Sequence, residues 1–185
     1  ANPHTDKLEK FAAMGASITN DNKAAATGAD IVVIAVKPWL VEKVVTEIKP
    51  LLDYKKQIII NMAAAISSTQ LFEWTAKGDE KPTIFQIIPN IAIAVKASMT
   101  FIVPCNATDE QTNIIKGIFD NVGQTYLTDE QHLAAGTTLA SCGIAYAMRY
   151  FRAASEGGVE LGFKADTAKD IVLQTVKGAV ELLQA

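Results

Sequence analysis

The first half of the chain alternates between two kinds of hydrophobic pattern. Residues 31–36 and 58–61 are short runs of mostly β-branched, apolar residues without polar alternation, which is typical of strands buried on both faces of a parallel sheet. Residues 83–88 predict a further strand and residues 16–19 a short one. Helical spacing of apolar residues separates these runs, so the pattern predicts a doubly wound α/β domain.

Helix-start signals support this order of elements. Asn2 followed by Pro3 predicts a first helix that ends at Gly15, and Pro38 opens a later one. The inward-facing residues of that later helix are predicted to be Leu40, Val44, Val45 and Ile48. Further helices are expected at 23–27 and after capping boxes at 67–70, 108–111 and 128–131.

The pattern changes after residue 128, beyond a predicted edge strand at 124–127. Residues 129–156 and 165–185 predict two long, Ala-rich helices, joined by a Gly-rich stretch from Gly157 to Gly162. Their apolar residues occupy more than one face, as Leu133, Leu139, Ile144, Tyr146, Met148 and Phe151 show. We therefore expect an α/β domain over 1–128 and a helical domain over 129–185 that pairs with a second copy of the chain.

Composition narrows the class of protein. The 185 residues are 49% hydrophobic and 20% charged with a net charge of −3, which is typical of a soluble globular protein. Lys and Arg are scattered among Asp and Glu, which argues against a nucleic-acid partner, and no apolar run is long enough to span a membrane. We expect a cytoplasmic protein without a metal site, with Cys105 and Cys142 both in the core.

Both ends of the chain are unusual for a complete protein. The sequence begins at Ala1 and reaches a helix-capping signal at its second residue. At the other end, the apolar pattern runs to within two residues of Ala185 without a Gly or Pro stop. We therefore expect the natural protein to continue beyond both ends.

Candidate chemistry lies where the predicted strands end, because ligands of open α/β sheets bind beyond the carboxyl ends of the strands. Three segments occupy such positions: Val36-Lys37-Pro38, the small residues Ala63-Ala64, and Asn90 after Pro89. Each has two interpretations. The first segment is either a solvated turn or a loop that lies along a dinucleotide. The second serves either tight helix packing or a surface for a flat ring. The third is either a turn residue or a hydrogen-bond partner for a carboxamide.

In order and spacing these segments resemble the pyrroline-5-carboxylate reductase family. The resemblance rests on Ala-Asp-Ile-Val-Val-Ile-Ala-Val-Lys-Pro at 29–38, Ile-Pro-Asn at 88–90, Leu-Ala-Ser-Cys-Gly-Ile-Ala-Tyr at 139–146, Gly-Gly-Val-Glu-Leu-Gly at 157–162, and Gln-Thr-Val-Lys-Gly-Ala at 174–179. It covers almost the whole chain. It implies a Rossmann-like dinucleotide-binding domain, incomplete at its N-terminus, followed by an all-helical dimerisation domain.

The resemblance also implies an activity and a set of cofactor-binding residues. The family reduces 1-pyrroline-5-carboxylate to proline with NAD(P)H, by hydride transfer to the imine carbon, and works as a homodimer or larger assembly. The residues carried over for NADP(H), possibly NAD(H), are Asn2 and Asn22 at the adenosine end, Val36, Lys37, Pro38, Ala63 and Ala64 along the cofactor, and Asn90 near the nicotinamide. Because no acidic residue stands at position 2, a 2′-phosphate is tolerated, which favours NADPH. No catalytic acid or base is implied.

Departures from the family pattern leave alternatives open. Ile91 stands where the family usually has Thr, and Cys142 and Ile144 stand in its Ser-Gly-Ser-Gly-Pro-Ala-Tyr motif. The 185 residues also contain neither the Gly-rich phosphate loop nor the later Pro-Gly-Gly-Thr segment, so we expect this stretch alone to be inactive. The alternatives are a non-catalytic dinucleotide-binding dimer and another NADP-dependent oxidoreductase acting on an imine or hydroxy acid.

Overall fold

A computed structural model describes residues 1–185 and shows one five-stranded sheet. The strands are β1 (Ile31–Ile34), β2 (Ile58–Asn61), β3 (Thr83–Ile88), β4 (Ser98–Cys105) and β5 (Gly123–Leu127). They lie in the order β1-β2-β3-β4-β5. All neighbouring pairs are parallel except β3 and β4, which are antiparallel.

Eight α-helices accompany the sheet. They are α1 (Glu9–Ala12), α2 (Asn22–Ala26), α3 (Val41–Ile48), α4 (Ser68–Thr75), α5 (Asp109–Asp120), α6 (Glu130–Gly136), α7 (Gly143–Glu160) and α8 (Ala165–Gln184). Short 3₁₀ helices occupy Thr5–Leu8, Pro38–Leu40, Lys49–Leu51 and Ile91–Val95, and Thr137–Cys142 is a π-helix. None of the helices combines the length and the hydropathy that a membrane span needs.

The sheet carries a separate hydrophobic core on each face. On one face, Val45 and Ile48 of α3 and Leu71 of α4 pack in the cluster that includes Ile59 and Ile84. On the other face, the core contains Ile58, Ile60, Phe85, Ile87, Ile102, Ile115 and Phe119. Helices therefore cover both faces, and the predicted Rossmann-like fold is confirmed.

The first strand differs from its prediction. β1 lies at the edge of the sheet, and Val33 is 50% exposed, so the expectation of burial on both faces is wrong. The strand also ends at Ile34 rather than at residue 36. In the helix after it, Val45 and Ile48 are buried as predicted, whereas Leu40 is 39% exposed because it belongs to the preceding 3₁₀ turn.

The N-terminal elements are also corrected. Residues 16–19 form no strand, because no other strand of these 185 residues lies beside them to form a ladder. The first helical turn starts at Thr5 rather than at Pro3. The left-handed conformation of Gly15, with φ of +93°, follows soon after α1, as expected for a residue that ends a helix.

Two of the three predicted capping boxes are confirmed. Ser67 caps α4 with Gln70, and Thr108 caps α5 with Gln111, each with reciprocal hydrogen bonds. The box predicted at 128–131 is wrong by one residue. Asp129 caps α6, with Oδ1 accepting from His132 N at 2.9 Å, because a carboxylate accepts this bond at least as well as a hydroxyl.

The sequence pattern missed β4 altogether. This strand runs back along β3, pairing Ile88 with Phe101, and then supports β5 in parallel. It makes the sheet mixed rather than wholly parallel. Gly123 begins β5 where a Cβ would lie 2.1 Å from Ser98 O, so only glycine allows the two backbones to approach this closely.

The chain forms two compact units, Ala1–Thr137 and Thr138–Ala185. In the second unit, α7 and α8 pack against each other, and a Cβ at Gly158 would lie 2.9 Å from Ala168 Cβ. Gly157 and Gly158 therefore lie inside α7, rather than joining two helices as predicted. Gly158 allows the close packing against α8, whereas a Cβ at Gly157 would meet no atom within 4 Å.

The two cysteines are less buried than expected. Cys105 is half-buried at the end of β4, and Cys142 is exposed in the single chain. The expectation of a core position is therefore wrong for Cys142, whereas Cys105 packs, partly buried, against the core that includes Ile59 and Ile84. Cys142 lies among apolar residues of the helical unit whose side chains are exposed as well, including Leu139 and Tyr146.

Candidate functional site

The carboxyl ends of three parallel strands meet at one edge of the sheet. Ile34 of β1 is paired with Asn61 of β2, and Asn61 with Gln86 of β3. The segments that follow these strands contain Val36-Lys37-Pro38, Ala63-Ala64 and Asn90. The structure thus brings the three predicted segments to the same edge, although they are spread over more than fifty residues of sequence.

The segment after β1 turns sharply into a 3₁₀ helix. Lys37 is extended and exposed, and its carbonyl accepts a hydrogen bond from Leu40 N at 2.9 Å. Pro38 occupies the first position of the turn, where a missing N–H removes no helical hydrogen bond. The Lys37 ammonium is thus placed at the sheet edge with its side chain directed to solvent.

The segment after β2 is held by Asn61, which has no exposed surface. Its Nδ2 donates to Ala63 O at 3.0 Å and its Oδ1 accepts from Ala63 N at 3.2 Å. Ala63 is buried, whereas Ala64 is exposed, and Ala65 is left-handed with φ of +60°. The Asn61 side chain therefore fixes the backbone after β2, and the side chains that this segment presents on its other side are only methyl groups.

Asn90, after β3, is almost fully buried. Its Oδ1 accepts from Ala92 N at 3.1 Å and so caps the 3₁₀ helix, while its backbone N–H donates to Ser98 Oγ at 3.2 Å. That hydroxyl is in turn 3.0 Å from Thr100 Oγ1. The arrangement fixes the turn after β3, and the role of Asn90 near a nicotinamide stays a prediction.

A cavity of about 430 Å³ opens beside the segment after β2, within the first compact unit. Its walls are the loop after β2, the end of β3 and one face of α6. It is lined by Ala63, Ala64, Ala65, Ile66, Ser67, Gln70, Gln86, Ile88, Glu130, Leu133, Ala134 and Thr137. Ala63 and Ala64 are the predicted site residues that line it, and one wall is formed by small or apolar side chains.

The polar side chains of this cavity were not predicted from the sequence. Gln86 is 2% exposed, and with its amide turned to satisfy both groups it donates to Ile66 O at 2.7 Å and accepts from Ser68 N at 3.1 Å. Glu130 Oε1 also accepts from Ser68 N at 2.9 Å, and its Oε2 accepts from Ser68 Oγ. A buried Gln inside an apolar strand was the one signal that could have revealed this cluster.

Cys105 lies at the edge of the same polar cluster. Burial, and to a smaller extent the nearby Glu130 carboxylate, raise the pKa of its thiol to about 11, while a hydrogen bond with Gln86 opposes the shift. The thiol is thus held in its protonated form at neutral pH. It contributes no nucleophile to the cavity.

The two predicted adenosine-end residues lie away from this cavity. Asn22 Nδ2 donates to Glu47 Oε2 at 3.1 Å, and Asn22 and Val36 line a smaller cavity of about 180 Å³ against β1. Asn2 Oδ1 accepts from His4 N at 2.9 Å, and its own N–H donates to Thr19 O at 3.0 Å. The cofactor roles of both residues stay predictions.

A doubly wound sheet with its loops gathered at the carboxyl ends of parallel strands, followed by a helical unit, is the architecture of two-domain dinucleotide-binding proteins. Family comparisons agree with this class. A model described as pyrroline-5-carboxylate reductase dimerisation matches residues 130–185, and one described as NADP oxidoreductase, coenzyme F420-dependent, matches residues 1–65.

Individual relatives cover almost the whole chain. A pyrroline-5-carboxylate reductase of Pisum sativum is 31% identical over 98% of this chain and 65% of its own length, and one of Aquifex aeolicus is 30% identical over 97% and 67%. The chain therefore belongs to the pyrroline-5-carboxylate reductase family. It spans slightly less than two thirds of the length of the pea protein.

Solved structures show the same relationship. A pyrroline-5-carboxylate reductase from Coxiella burnetii superimposes with a TM-score of 0.89 at 29% identity, over 100% of this chain and 68% of that one. The Plasmodium falciparum pyrroline carboxylate reductase, crystallised with NADP bound, gives a TM-score of 0.81 at 26% identity, over 91% and 65%.

Proposed function

We propose that this protein reduces 1-pyrroline-5-carboxylate to proline with NADPH and thereby serves proline biosynthesis. The observation that carries this proposal is the single sheet edge that Val36-Lys37-Pro38, Ala63-Ala64 and Asn90 share, with Ala63-Ala64 lining the 430 Å³ cavity, in a chain of this family. The relatives of similar sequence are named as pyrroline-5-carboxylate reductases, which supports the same reaction.

The residues at this edge fit a dinucleotide. Ala63, Ala64 and Ala65 present nothing longer than a methyl group to the cavity, so a flat ring can approach the backbone closely. We assign Val36, Lys37 and Pro38 to the middle of the cofactor and Asn90 to its nicotinamide end. The bound cofactor would supply a hydride for C5 of the cyclic imine, and the protein would align the two rings and exclude water.

The adenosine end is assigned to Asn22 and Asn2. The side chain of Asn22 is partly buried, and its second amide hydrogen and its carbonyl oxygen have no role in the bond to Glu47. No acidic side chain stands at position 2 to repel a 2′-phosphate, and Lys7 is close in sequence. These features favour NADPH over NADH.

The helical unit is assigned to homodimer formation. Leu139, Tyr146, Met148, Leu182 and Leu183 are all more than half exposed in the single chain, which is unusual for large apolar side chains unless another surface covers them. The match of residues 130–185 to a dimerisation family supports both the assembly and a functional boundary near residue 128. Sedimentation at micromolar concentration tests it, and a stable monomer would contradict it.

The test of the activity is NADPH oxidation with the imine supplied. Two proteins are compared, the 185 residues alone and the full reading frame that encodes them. We expect turnover by the full reading frame and none by the short chain, because residues 1–185 contain no Gly-rich phosphate loop and no Pro-Gly-Gly-Thr segment. An inert full-length protein that still binds NADPH would favour a non-catalytic dinucleotide-binding dimer, and Ile91, Cys142 and Ile144 would then be the residues to revert.

A further inference from the structure

Helix α6, which forms one wall of the 430 Å³ cavity, is fixed at both of its ends. At its first residue, the Glu130 carboxylate bonds to Ser68, the first residue of α4. At its last residue, Gly136 lies so close to Phe101 of β4 that a Cβ would be 2.6 Å from the ring. Between these two points, Leu133 and Ala134 line the cavity.

The Glu130 contact joins the two opposite walls. Its two oxygens accept from the backbone N–H and from the hydroxyl of Ser68, the N–H at 2.9 Å. A carboxylate at this position also interacts favourably with the N-terminal end of the α4 dipole. The loop of Ala63, Ala64 and Ala65 ends directly before α4. The distance between this loop and α6 therefore depends on the Glu130–Ser68 contact.

Gln86 connects Ser68 to the sheet. Its amide, 2% exposed, bonds to Ile66 O and Ser68 N, on the loop and on α4. Ser68 N therefore has two acceptors, one from β3 and one from α6. A single backbone N–H thus connects the sheet, the loop and the opposite wall of the cavity.

We propose that Glu130 is a positioning residue whose contact with Ser68 sets the width of the cavity between Ala63-Ala64-Ala65 and α6. This inference rests on the proposed function, since the cavity is where the nicotinamide and the imine ring would be aligned. Glu130 does not touch the reacting atoms. It acts through Ser68, by holding the loop that faces one ring at a fixed distance from the helix that faces the other.

Kinetics of the full reading frame provide the first test. Glu130→Ala removes both bonds to Ser68 and should lower kcat/KM for the imine by about 100-fold, the loss expected for a misplacement near 1 Å. The loss should lie mainly in kcat, with the Kd for NADPH changed by less than about threefold, because most of the cofactor binds elsewhere. Glu130→Gln keeps an oxygen that accepts from Ser68, and it should restore most of the activity.

A second measurement does not depend on activity. Hydrogen exchange, followed by mass spectrometry without cofactor, should become faster over residues 62–70 in Glu130→Ala and stay unchanged over β3. Glu110→Ala, which removes an exposed acid from the first turn of α5, is the matched control and should behave as wild type in both tests. If Glu130→Ala fails to fold, Ser68→Ala removes the hydroxyl donor alone and is measured in the same way.

The outcomes separate the two proposals. Wild-type exchange over residues 62–70 and wild-type kcat/KM in Glu130→Ala would overturn the role of Glu130. Equal losses in Glu130→Gln and Glu130→Ala would also overturn it, because the charge rather than the contact would then matter. If the wild-type protein does not turn over the imine, the proposed function fails, and the exchange data alone decide whether Glu130 positions the loop.

Discussion

Gly136 lies against the ring of Phe101, and a Cβ at this glycine would be 2.6 Å from Phe101 Cε1. Phe101 is itself held by an edge-to-face contact with Tyr126 of β5, with the ring centroids 5.7 Å apart. Because the ring cannot move away freely, α6 can pack this closely against the sheet only if residue 136 has no side chain. The glycine therefore determines how closely one wall of the cavity approaches β4.

This contact predicts opposite effects for two helical glycines. Gly136→Ala should lower the free energy of unfolding by about 1–3 kcal/mol, as expected for overpacking. Gly117→Ala, in α5, meets no atom within 4 Å and should raise it by about 0.5–1 kcal/mol through helix propensity. Urea unfolding of both variants measures the difference. A neutral Gly136→Ala would mean that the Phe101 ring shifts without cost.

Tyr54 predicts a specific alkaline instability. Its hydroxyl donates to Thr75 O at 2.5 Å, and burial, followed by the charge of Glu80, raises its pKa to about 12. The unfolded state loses this proton near pH 10, so the free energy of unfolding should fall by up to about 3 kcal/mol between pH 10 and 12. Below pH 10 the contribution is fully present.

The variant Tyr54→Phe isolates this effect. It should lose about 1–2 kcal/mol at pH 8, because Thr75 O loses its partner, and its stability should then decline less steeply above pH 10. Tyr126→Phe changes an exposed tyrosine and is the matched control. Urea unfolding at several pH values gives the comparison, and parallel curves for wild type and Tyr54→Phe would contradict the assignment.

The thiol of Cys105 should react unusually slowly with disulfide reagents. With its pKa raised to about 11 by burial and by Glu130, roughly 0.1% is thiolate at pH 8. In Cys142→Ser, which leaves Cys105 as the one thiol, reaction with a disulfide reagent at pH 8 should be far slower than in the same protein unfolded in urea. A second substitution in the same variant, Glu130→Gln, should accelerate the reaction of the folded protein. Equal rates in folded and unfolded protein would exclude the raised pKa.

Asn22 should affect NADPH more than NADH. In the full reading frame, Asn22→Asp should weaken NADPH by about 1–3 kcal/mol, because a carboxylate replaces a donor beside the 2′-phosphate, and NADH much less. The substitution also places two carboxylates together, since Asn22 Nδ2 donates to Glu47. Glu47→Gln is therefore the control, and calorimetry with both cofactors cancels any loss common to them. Equal losses for the two cofactors would show that Asn22 has another role.

Local signals predicted much of the fold. β2 and β3 have the predicted bounds because their apolar runs are buried on both faces, and Ser67 and Thr108 cap helices because their partners lie three residues away. β4 was missed because Ser98 and Thr100 are polar but buried, bonded to each other at 3.0 Å. A pattern based on hydropathy assigns such residues to solvent.

The candidate site likewise contains residues that the sequence predicted and residues that it did not. Residues at strand ends were predictable, since parallel strands end at a common edge. Ser68 and Glu130 were not, because they are 62 residues apart and neither carries a local motif for the other. The sequence pattern assigns Gly158 to a linker because glycine favours loops, whereas its contact with Ala168 is tertiary. Pairings of this kind arise only when the chain is folded.

The outer edge of β1 has a consequence for handling these 185 residues on their own. Among them, no strand pairs with the backbone N–H and C=O groups of β1 on the side away from β2, and Val33 adds an exposed β-branched side chain beside these groups. Such an edge is a template for strand addition between molecules. Concentrated samples of these 185 residues should therefore aggregate through β1 before they unfold, and a lysine at position 33 should raise the concentration at which they stay in solution.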